Sequence, residues 1–240
     1  MNSLFDDNLL FNEKKHKYSL KNRPDFVFTS TTTMIHKFFP VFNGPRIAQN
    51  LIDSVPKYSG MTKEAVMKDW RKSATDGTRV HNELEKYVLN RRTKPKEEKS
   101  KQGVQWLKDR VFTQKNWVVY PEAAMFSTDI GISGTADLLI HNTETDEYVI
   151  GDWKTNKKIT KTSYGNKVGT RQATRHLKDC NYNHYALQFS MYRYILEKYY
   201  GLNIKNSFLI HLSKGSYKDY KMPYLKNEIK NMLRDYESIK

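Results

Sequence analysis

Hydrophobic and polar positions along the chain follow two periods, one typical of helices and one typical of strands. Apolar residues recur every three or four positions over residues 62–89, which predicts a long amphipathic helix. The same period, with Thr and Ser caps before the first helix and Gly44-Pro45 at the start of the second, predicts further helices at about residues 29–39, 44–54, 97–114, 184–200 and 224–239. Short apolar runs predict strands at residues 117–127, 134–140, 148–152 and 207–212.

Two further local signals qualify this pattern. Pro121 is unfavourable inside a central strand, so we expect the strand at 117–127 to be interrupted or bulged there. Residues 18–28 are expected to form a short hairpin or an extended arm.

The order of these elements predicts the fold class. Helices come first, followed by strands, a helix, a strand and a final helix, which indicates an α/β fold with a small mixed central β-sheet flanked by helices and a helical N-terminal cap. The 240 residues suit a single domain, with a helical part at about 1–115 and an α/β core at about 116–240.

Two of the predicted strands carry carboxylates. The polar, turn-rich segment 142–147 lies between them, so we expect a hairpin that brings Asp137 and Asp152 to one end of the sheet. Lys154 follows Asp152 by two positions, and side chains two apart on a strand point to the same face. Two carboxylates and an ammonium group can hold a hard divalent cation and stabilise a phosphate, which predicts nuclease chemistry. The alternative is an exposed ion pair at a hairpin end.

Two polar pairs lie on predicted helices. His81 and Glu85 are one turn apart among the apolar positions of the long helix, and Gln188 and Tyr192 are one turn apart on the helix at 184–200. Taken alone, His81 is a core histidine more often than a metal ligand, and Gln188 with Tyr192 would be the polar edge of an amphipathic helix.

Taken in order, these motifs resemble a known family. The motifs are Gly77-Thr-Arg-Val-His81, Pro121-Glu122, Gly134-Thr-Ala-Asp137, Asp152-Trp-Lys154 and Gln188-x-x-x-Tyr192. They are similar to the RecB-type branch of the PD-(D/E)XK nuclease superfamily, and most closely to its small stand-alone exonucleases, which include mitochondrial and phage members. The resemblance implies a restriction-endonuclease-like core.

The resemblance also implies roles for the matched residues. Asp137, Asp152 and His81 would bind metal, Lys154 would serve catalysis, and Gln188 with Tyr192 would shape the site beside the DNA. Glu122 and Glu85 are candidates for an additional acid. The product would carry a 5′-phosphate.

The implied cofactor is Mg²⁺ or Mn²⁺, as one or two ions. The backbone carbonyl of Trp153 is a plausible further oxygen ligand. Because Mg²⁺ prefers oxygen ligands and water, a histidine ligand shifts the expectation towards Mn²⁺ tolerance.

Composition indicates a polyanionic partner. The chain has 41 Lys and Arg against 26 Asp and Glu, a net charge of +15 and a pI near 9.6. An RNA-binding module or a membrane-surface protein could show the same excess of basic over acidic residues.

One segment concentrates this charge. Residues 154–178 contain eight Lys and Arg residues and no Asp or Glu, with interspersed Gly, Ser and Thr that predict a loop. The candidate DNA contacts in this basic loop are Lys157, Lys158, Lys161, Tyr164, Lys167, Arg171 and Arg175. The tyrosine ring could stack on a base. The alternative is a solvated, flexible loop.

The sequence also narrows the cellular setting. No apolar run approaches the length of a bilayer-spanning helix, and the first twenty residues contain three acids and no continuous apolar core, so we expect neither a membrane segment nor a signal peptide. The single cysteine, Cys180, excludes an intramolecular disulfide and a four-cysteine iron–sulfur cluster, and it fits an intracellular, reducing compartment.

The leading hypothesis is therefore a metal-dependent DNA exonuclease that acts on single strands or DNA ends in repair, recombination or replication. Two alternatives stay open. One is a structure-specific endonuclease with the same site, and the other is a non-catalytic nucleic-acid-binding protein that keeps the fold. Cleavage polarity and protein partners are not specified by the sequence.

Overall fold

A computed structural model describes residues 9–12 and 17–238 of the chain. Its strands are β1 Leu9–Asn12, β2 Lys17–Leu20, β3 Thr29–Ser30, β4 Trp117–Ser127, β5 Ile132–Asn142, β6 Glu147–Lys154, β7 Asn203–Ser213 and β8 Ser216–Lys221. Its α-helices are α1 Thr31–His36, α2 Gly44–Ser54, α3 Lys63–Leu89, α4 Glu98–Arg110, α5 Asn181–Tyr199 and α6 Lys226–Glu237. Short 3-10 turns lie at Pro56–Tyr58 and Tyr164–Asn166.

The central sheet is mixed. β5 pairs antiparallel with β4 along one edge, and along its other edge it pairs with β3 and then with β6. β6 and β7 are parallel because the chain crosses over through α5 between them, whereas the tight turn between β7 and β8 makes that pair antiparallel. The predicted hairpin of β5 and β6 and the predicted fold class are confirmed.

Helices cover both faces of the sheet. Successive side chains of a strand point to opposite faces, so one strand can pack against helices on both sides. Leu139 of β5 packs in a cluster with buried residues of α1, α5 and α6. Its neighbours Leu138 and Ile140 pack with Trp153 and with buried residues of α3 and α4 on the other face. The sheet is thus the middle layer of the described structure.

Several predicted boundaries need correction. The first helix begins only at Thr31, because the Ser30 hydroxyl caps it by accepting a hydrogen bond from the Thr33 N–H, and it ends at His36, well before Pro40. The helix predicted at 97–114 ends at Arg110. The strands β1, β3 and β8 were not predicted, and the expected arm at 18–28 forms only β2, which pairs with β1.

The expected irregularity near Pro121 is found at the next residue, Glu122, which is left out of the pairing with β5 and has a left-handed φ of 47°. Apart from this residue, β4 runs from Trp117 to Ser127 without a change of register against β5. It pairs on one side only among the described residues, and at such an edge the missing N–H of proline is tolerated.

No helix in the described part of the chain is both long and apolar enough to span a bilayer.

Candidate active site

The candidate site lies where β5 and β6 separate. Their pairing runs from Asn142 opposite Glu147 to Leu138 opposite Gly151 and then stops. The next residue of each strand is Asp137 on β5 and Asp152 on β6. Beyond this point β6 continues beside β7, with Asp152 paired to Leu209. The two carboxylates predicted from the sequence are therefore brought together at a strand divergence.

Asp137 is held by partners from two elements. Its Oδ1 lies 3.1 Å from His81 Nδ1 on α3, and its Oδ2 accepts a 2.7 Å hydrogen bond from the backbone N–H of Trp153. Burial alone would raise the pKa of this carboxyl, but the His81 charge and hydrogen bond, helped by Lys154, outweigh burial and lower it. Asp137 is therefore a fixed, ionised group.

Asp152 and Lys154 form an ion pair at the end of β6. Asp152 is 3% exposed and its Oδ2 contacts Lys154 Nζ. Burial and the Asp137 charge raise the pKa of Asp152 to about 6, although Lys154 opposes that shift. Burial favours the neutral amine of Lys154, yet the two aspartates outweigh it and raise the Lys154 pKa. The Lys154 ammonium also lies 4.8 Å from the centre of the Tyr185 ring.

His81 and Glu122 face the same carboxylates. Burial opposes the imidazolium of His81, but the Asp137 charge and hydrogen bond outweigh it and raise the His81 pKa. Glu122 lies on β4 between Pro121, which pairs with Leu138, and Ala123, which pairs with Ala136, and it has a left-handed φ of 47° that is rare for a non-glycine residue. The residue is exposed at the surface, yet partial shielding of its carboxyl from water, followed by the charges of Asp137 and Glu85, raises its pKa to about 8. The carboxyl groups of Asp137, Asp152, Glu122 and Glu85 therefore gather around two basic groups, Lys154 and His81.

The donor types at this site are those that suit a hard divalent cation. Carboxylate oxygens are the ligands that Mg²⁺ and Mn²⁺ prefer, and an added cation would favour the ionised forms of Asp152 and Glu122. Within the described residues, however, no group of three or more His, Cys, Asp or Glu side chains is placed so that it could hold a metal ion as it stands. Asp137 is engaged by His81 and Trp153, and Asp152 by Lys154, so a cation would compete with these contacts.

A close approach between α3 and β6 positions His81. The Thr62 hydroxyl caps α3 by accepting a hydrogen bond from the Ala65 N–H, and a Cβ added at Gly77 would lie 2.9 Å from Thr155 Oγ1. Glycine therefore allows α3 to approach the residue that follows Lys154, and one turn later His81 reaches Asp137.

Gln188 and Tyr192 are buried side by side on α5. They are 9% and 4% exposed, and Gln188 Nε2 donates a 2.9 Å hydrogen bond to the Tyr192 hydroxyl. Burial, followed by the Asp152 charge, raises the Tyr192 pKa well above its usual value. A Cβ at Gly134 would lie 2.4 Å from the Tyr192 ring, so glycine is required there for the ring to pack against β5. A direct contact of this pair with DNA stays a prediction.

The basic loop leaves the end of β6 and folds against α1. The backbone N–H of Thr170 and the hydroxyl of Thr174 both donate to the Phe38 carbonyl, and Arg171 Nε donates to the Lys37 carbonyl at 3.3 Å. Arg171 is thus partly structural. The exposed side chains of the predicted set are Lys157, Lys158, Lys161, Tyr164, Lys167 and Arg175.

Sequence reasoning missed the residues that hold the loop near the site. Tyr185 donates a 2.7 Å hydrogen bond to Asn156 and lies against Lys154. Lys99 of α4 donates to the Thr155 carbonyl. A signal for Tyr185 was present, because it precedes Gln188 by three positions and so shares its side of α5.

Comparisons with known proteins do not assign this site. No protein-family model and no curated protein matches the chain. One solved structure with some similarity is SSO0001, at 13% identity over 88% of this chain and 76% of that chain, with a TM-score of 0.38. Another is described as "Putative exonuclease" from Eubacterium rectale, at 11% identity over 85% of this chain and 69% of that chain, with a TM-score of 0.37. Similarities at this level carry no argument for function.

Proposed function

We propose that this chain is a metal-dependent DNA nuclease, and specifically an exonuclease that acts on single strands or DNA ends. The observation that carries the proposal is the convergence of Asp137 and Asp152 with Lys154 where β5 and β6 separate. A buried pair of carboxylates with an ammonium beside it has little value for folding, but it suits phosphodiester hydrolysis.

Each residue has a defined task in this proposal. Asp137, Asp152, His81 and the Trp153 carbonyl would hold one or two Mg²⁺ or Mn²⁺ ions. The ion, when bound, would lower the pKa of water and neutralise phosphate charge. The Trp153 N–H keeps the Asp137 carboxylate in one orientation.

Lys154 would stabilise the transition state. Its ammonium would donate hydrogen bonds to a phosphate oxygen and offset the negative charge that develops there. Its partners Asp152 and Tyr185 hold the side chain in place before substrate arrives, so little reorganisation is needed.

The charge of the molecule supports a nucleic-acid substrate. The net charge of +15 attracts polyanions, and the basic loop begins directly after Lys154. A DNA strand bound along this loop would lead to Asp137 and Asp152.

The deciding experiment uses end-labelled linear and circular single-stranded DNA of equal length, with Mg²⁺, with Mn²⁺ or with EDTA. We expect metal-dependent degradation of the linear strand to short products with 5′-phosphates, and no cleavage of the circle. Cleavage of the circle would instead establish an endonuclease. Binding of both DNAs without cleavage in any metal would establish a non-catalytic binding protein and overturn the proposal.

A further inference from the structure

The segment between α1 and α2 presents two apolar side chains to solvent. Val41 is 92% exposed and Phe42 is 69% exposed. The prolines Pro40 and Pro45 restrict the backbone on either side, and the Asn43 side chain accepts a 3.0 Å hydrogen bond from the backbone N–H of Arg46. These apolar groups are therefore held at the surface by a stiff segment, an arrangement that is typical of a binding surface.

Phe42 is paired with a second ring. The centroids of Phe42 and Trp70 are 6.0 Å apart, with an angle of 57° between the planes. Gly44 lies next to both rings, since a Cβ added there would be in ordinary van der Waals contact with them, 3.5 Å from the Phe42 ring and 3.9 Å from the Trp70 ring. The two rings form an open aromatic surface, which we call the Phe42–Trp70 platform.

The platform stands on an arm outside the core. Ala48 is the buried residue of α2, and Val66 is the buried residue in the first half of α3. The core contacts of α3 come from Val80, Leu84 and Tyr87 in its second half. The arm therefore contributes little to the core, and its exposed Phe42 ring, beside the half-buried Trp70 ring, is available to a ligand.

Both ends of this arm are connected to elements that lead to the candidate active site. At one end, the Phe38 carbonyl accepts hydrogen bonds from Thr170 and Thr174 of the basic loop. At the other end, Trp70 precedes His81 by 11 residues on the same helix, which at 1.5 Å per residue is about 16 Å along its axis. The platform thus includes a ring of the helix that contacts Asp137, and along the chain it follows the segment that is hydrogen-bonded to the basic loop.

The charge around the platform indicates the class of ligand. Residues 37–72 contain more basic than acidic side chains, and the basic ones are Lys37, Arg46, Lys57, Lys63, Lys68, Arg71 and Lys72. The acidic ones are Asp53, Glu64 and Asp69. Exposed rings among cations fit a polyanion with flat apolar faces, and unpaired nucleobases have such faces whereas paired, stacked bases conceal them.

We propose that the Phe42–Trp70 platform stacks an unpaired base of a single strand on its way to Asp137 and Asp152. This inference rests on the proposed nuclease function and adds to it a site of recognition outside the reacting centre. Because stacking does not depend on base identity, the platform would favour single strands over duplexes without reading sequence.

The test measures affinity in EDTA, where no cleavage can occur, for a 20-nucleotide oligothymidylate and for an abasic strand of the same length. Stacking of one base corresponds to roughly 5- to 150-fold in affinity, so Phe42→Ala should weaken oligothymidylate binding by about 5-fold or more. Phe42→Trp should keep the affinity, and Phe42→Leu should behave like Phe42→Ala because it keeps an apolar group but loses the flat ring. Binding of the abasic strand should not respond to any of these changes.

Val118→Ala is the matched control, since Val118 is also an exposed apolar residue but lies at the far end of β4 beside His141. Unchanged oligothymidylate affinity in Phe42→Ala, or an equal loss for the abasic strand, would overturn the platform while leaving the nuclease function intact. Full affinity in Phe42→Leu would also overturn stacking and point to an apolar peptide or a second copy of the chain as the occupant. A wild-type protein that binds neither strand would overturn both proposals together.

Discussion

Asp152 and Lys154 are buried and charged in a place where folding alone would favour apolar residues. Desolvating two ions seldom stabilises a protein relative to a well-packed apolar pair. Burial and the Asp137 charge raise the Asp152 pKa to about 6, so its ionised form carries a free-energy cost in the folded protein. Such a group is best explained by a role in binding or chemistry.

Replacing Asp152 tests that role. Asp152→Asn should abolish cleavage and leave DNA binding unchanged or tighter, because it removes negative charge near the phosphates. Folding should persist, since the change also removes a carboxylate whose ionised form is disfavoured by burial. Single-turnover cleavage, DNA binding in EDTA and circular dichroism measure the three effects. Asp129→Asn makes the same charge change at an exposed turn and should behave as wild type. Full activity in a folded Asp152→Asn protein would place the chemistry elsewhere.

The effects of replacing His81 on melting temperature and on activity distinguish a metal ligand from a core histidine. Its side chain is 28% exposed and contacts Asp137, so His81→Ala should leave the melting temperature nearly unchanged. Activity should fall sharply, and more Mn²⁺ should be needed for half-maximal rate. Thermal melting and Mn²⁺ titration of cleavage give the two readouts, with the exposed His176→Ala as the control. A large drop in melting temperature with normal activity per folded molecule would show that His81 is structural.

At the scale of elements, the close spacing between α3 and β6 depends on the absence of a side chain at Gly77. Gly77→Ala should stabilise an isolated helix by up to about 1 kcal/mol, yet its Cβ would lie 2.9 Å from Thr155 Oγ1 and push α3 away from the site. We expect an unchanged or raised melting temperature together with reduced cleavage. Thr155→Ala removes the opposing hydroxyl, so the double variant should recover activity lost in Gly77→Ala.

This double-mutant cycle separates positioning from a simple folding defect. If the two changes reduce activity independently, with no recovery in the double variant, then the close approach of α3 to β6 does not control the site.

Sequence patterns predicted elements well where local and tertiary signals agree. The bounds of α2 and β4 match the prediction, since Gly44-Pro45 marks the start of α2 and an apolar run marks β4. β8 was missed because Ser216–Lys221 is a polar edge strand with little apolar alternation. β3 was missed because its two residues are strand-like only through pairing with β5.

The same contrast holds for the candidate site. Asp137, Asp152 and Lys154 could be predicted together because a hairpin is a local structure. The contact of His81 with Asp137 joins residues 56 positions apart, so only the family resemblance suggested it. The contact of Lys99 with Thr155 has the same separation and lies in no motif, and so it was not predicted.

At the scale of the whole molecule, the surplus of positive charge is organised by the fold. Thr170 and Thr174 of the basic loop donate hydrogen bonds to the Phe38 carbonyl, so this part of the loop is fixed to the rest of the protein. Arg171 and Lys161 also lie over the rings of Phe38 and Tyr182. Arg171 and Lys161 make these contacts within the protein, so a variant that tests phosphate binding by the basic loop should leave them unchanged.

The decisive variant therefore changes Lys157, Lys158, Lys167 and Arg175 to Gln, all of them exposed. Binding to a single strand releases roughly 0.7 counterion per phosphate contact, so loss of four contacts should flatten the slope of log affinity against log salt by up to about 3 units. Processive runs should shorten. Single-turnover cleavage at saturating protein should stay close to wild type, because Lys154 and both aspartates are untouched.

A control removes the same charge elsewhere, by changing the exposed lysines Lys108, Lys115, Lys205 and Lys230 to Gln. Because both variants lower the net charge by four, long-range attraction falls to a similar extent in each, and only direct contacts should separate their salt slopes. Equal slopes in the two variants, with unchanged run length, would mean that the basic loop is a solvated surface. The DNA strand would then have to reach the site by another route. The next segment to test would be the basic linker that follows α3, with Arg91, Arg92 and Lys94.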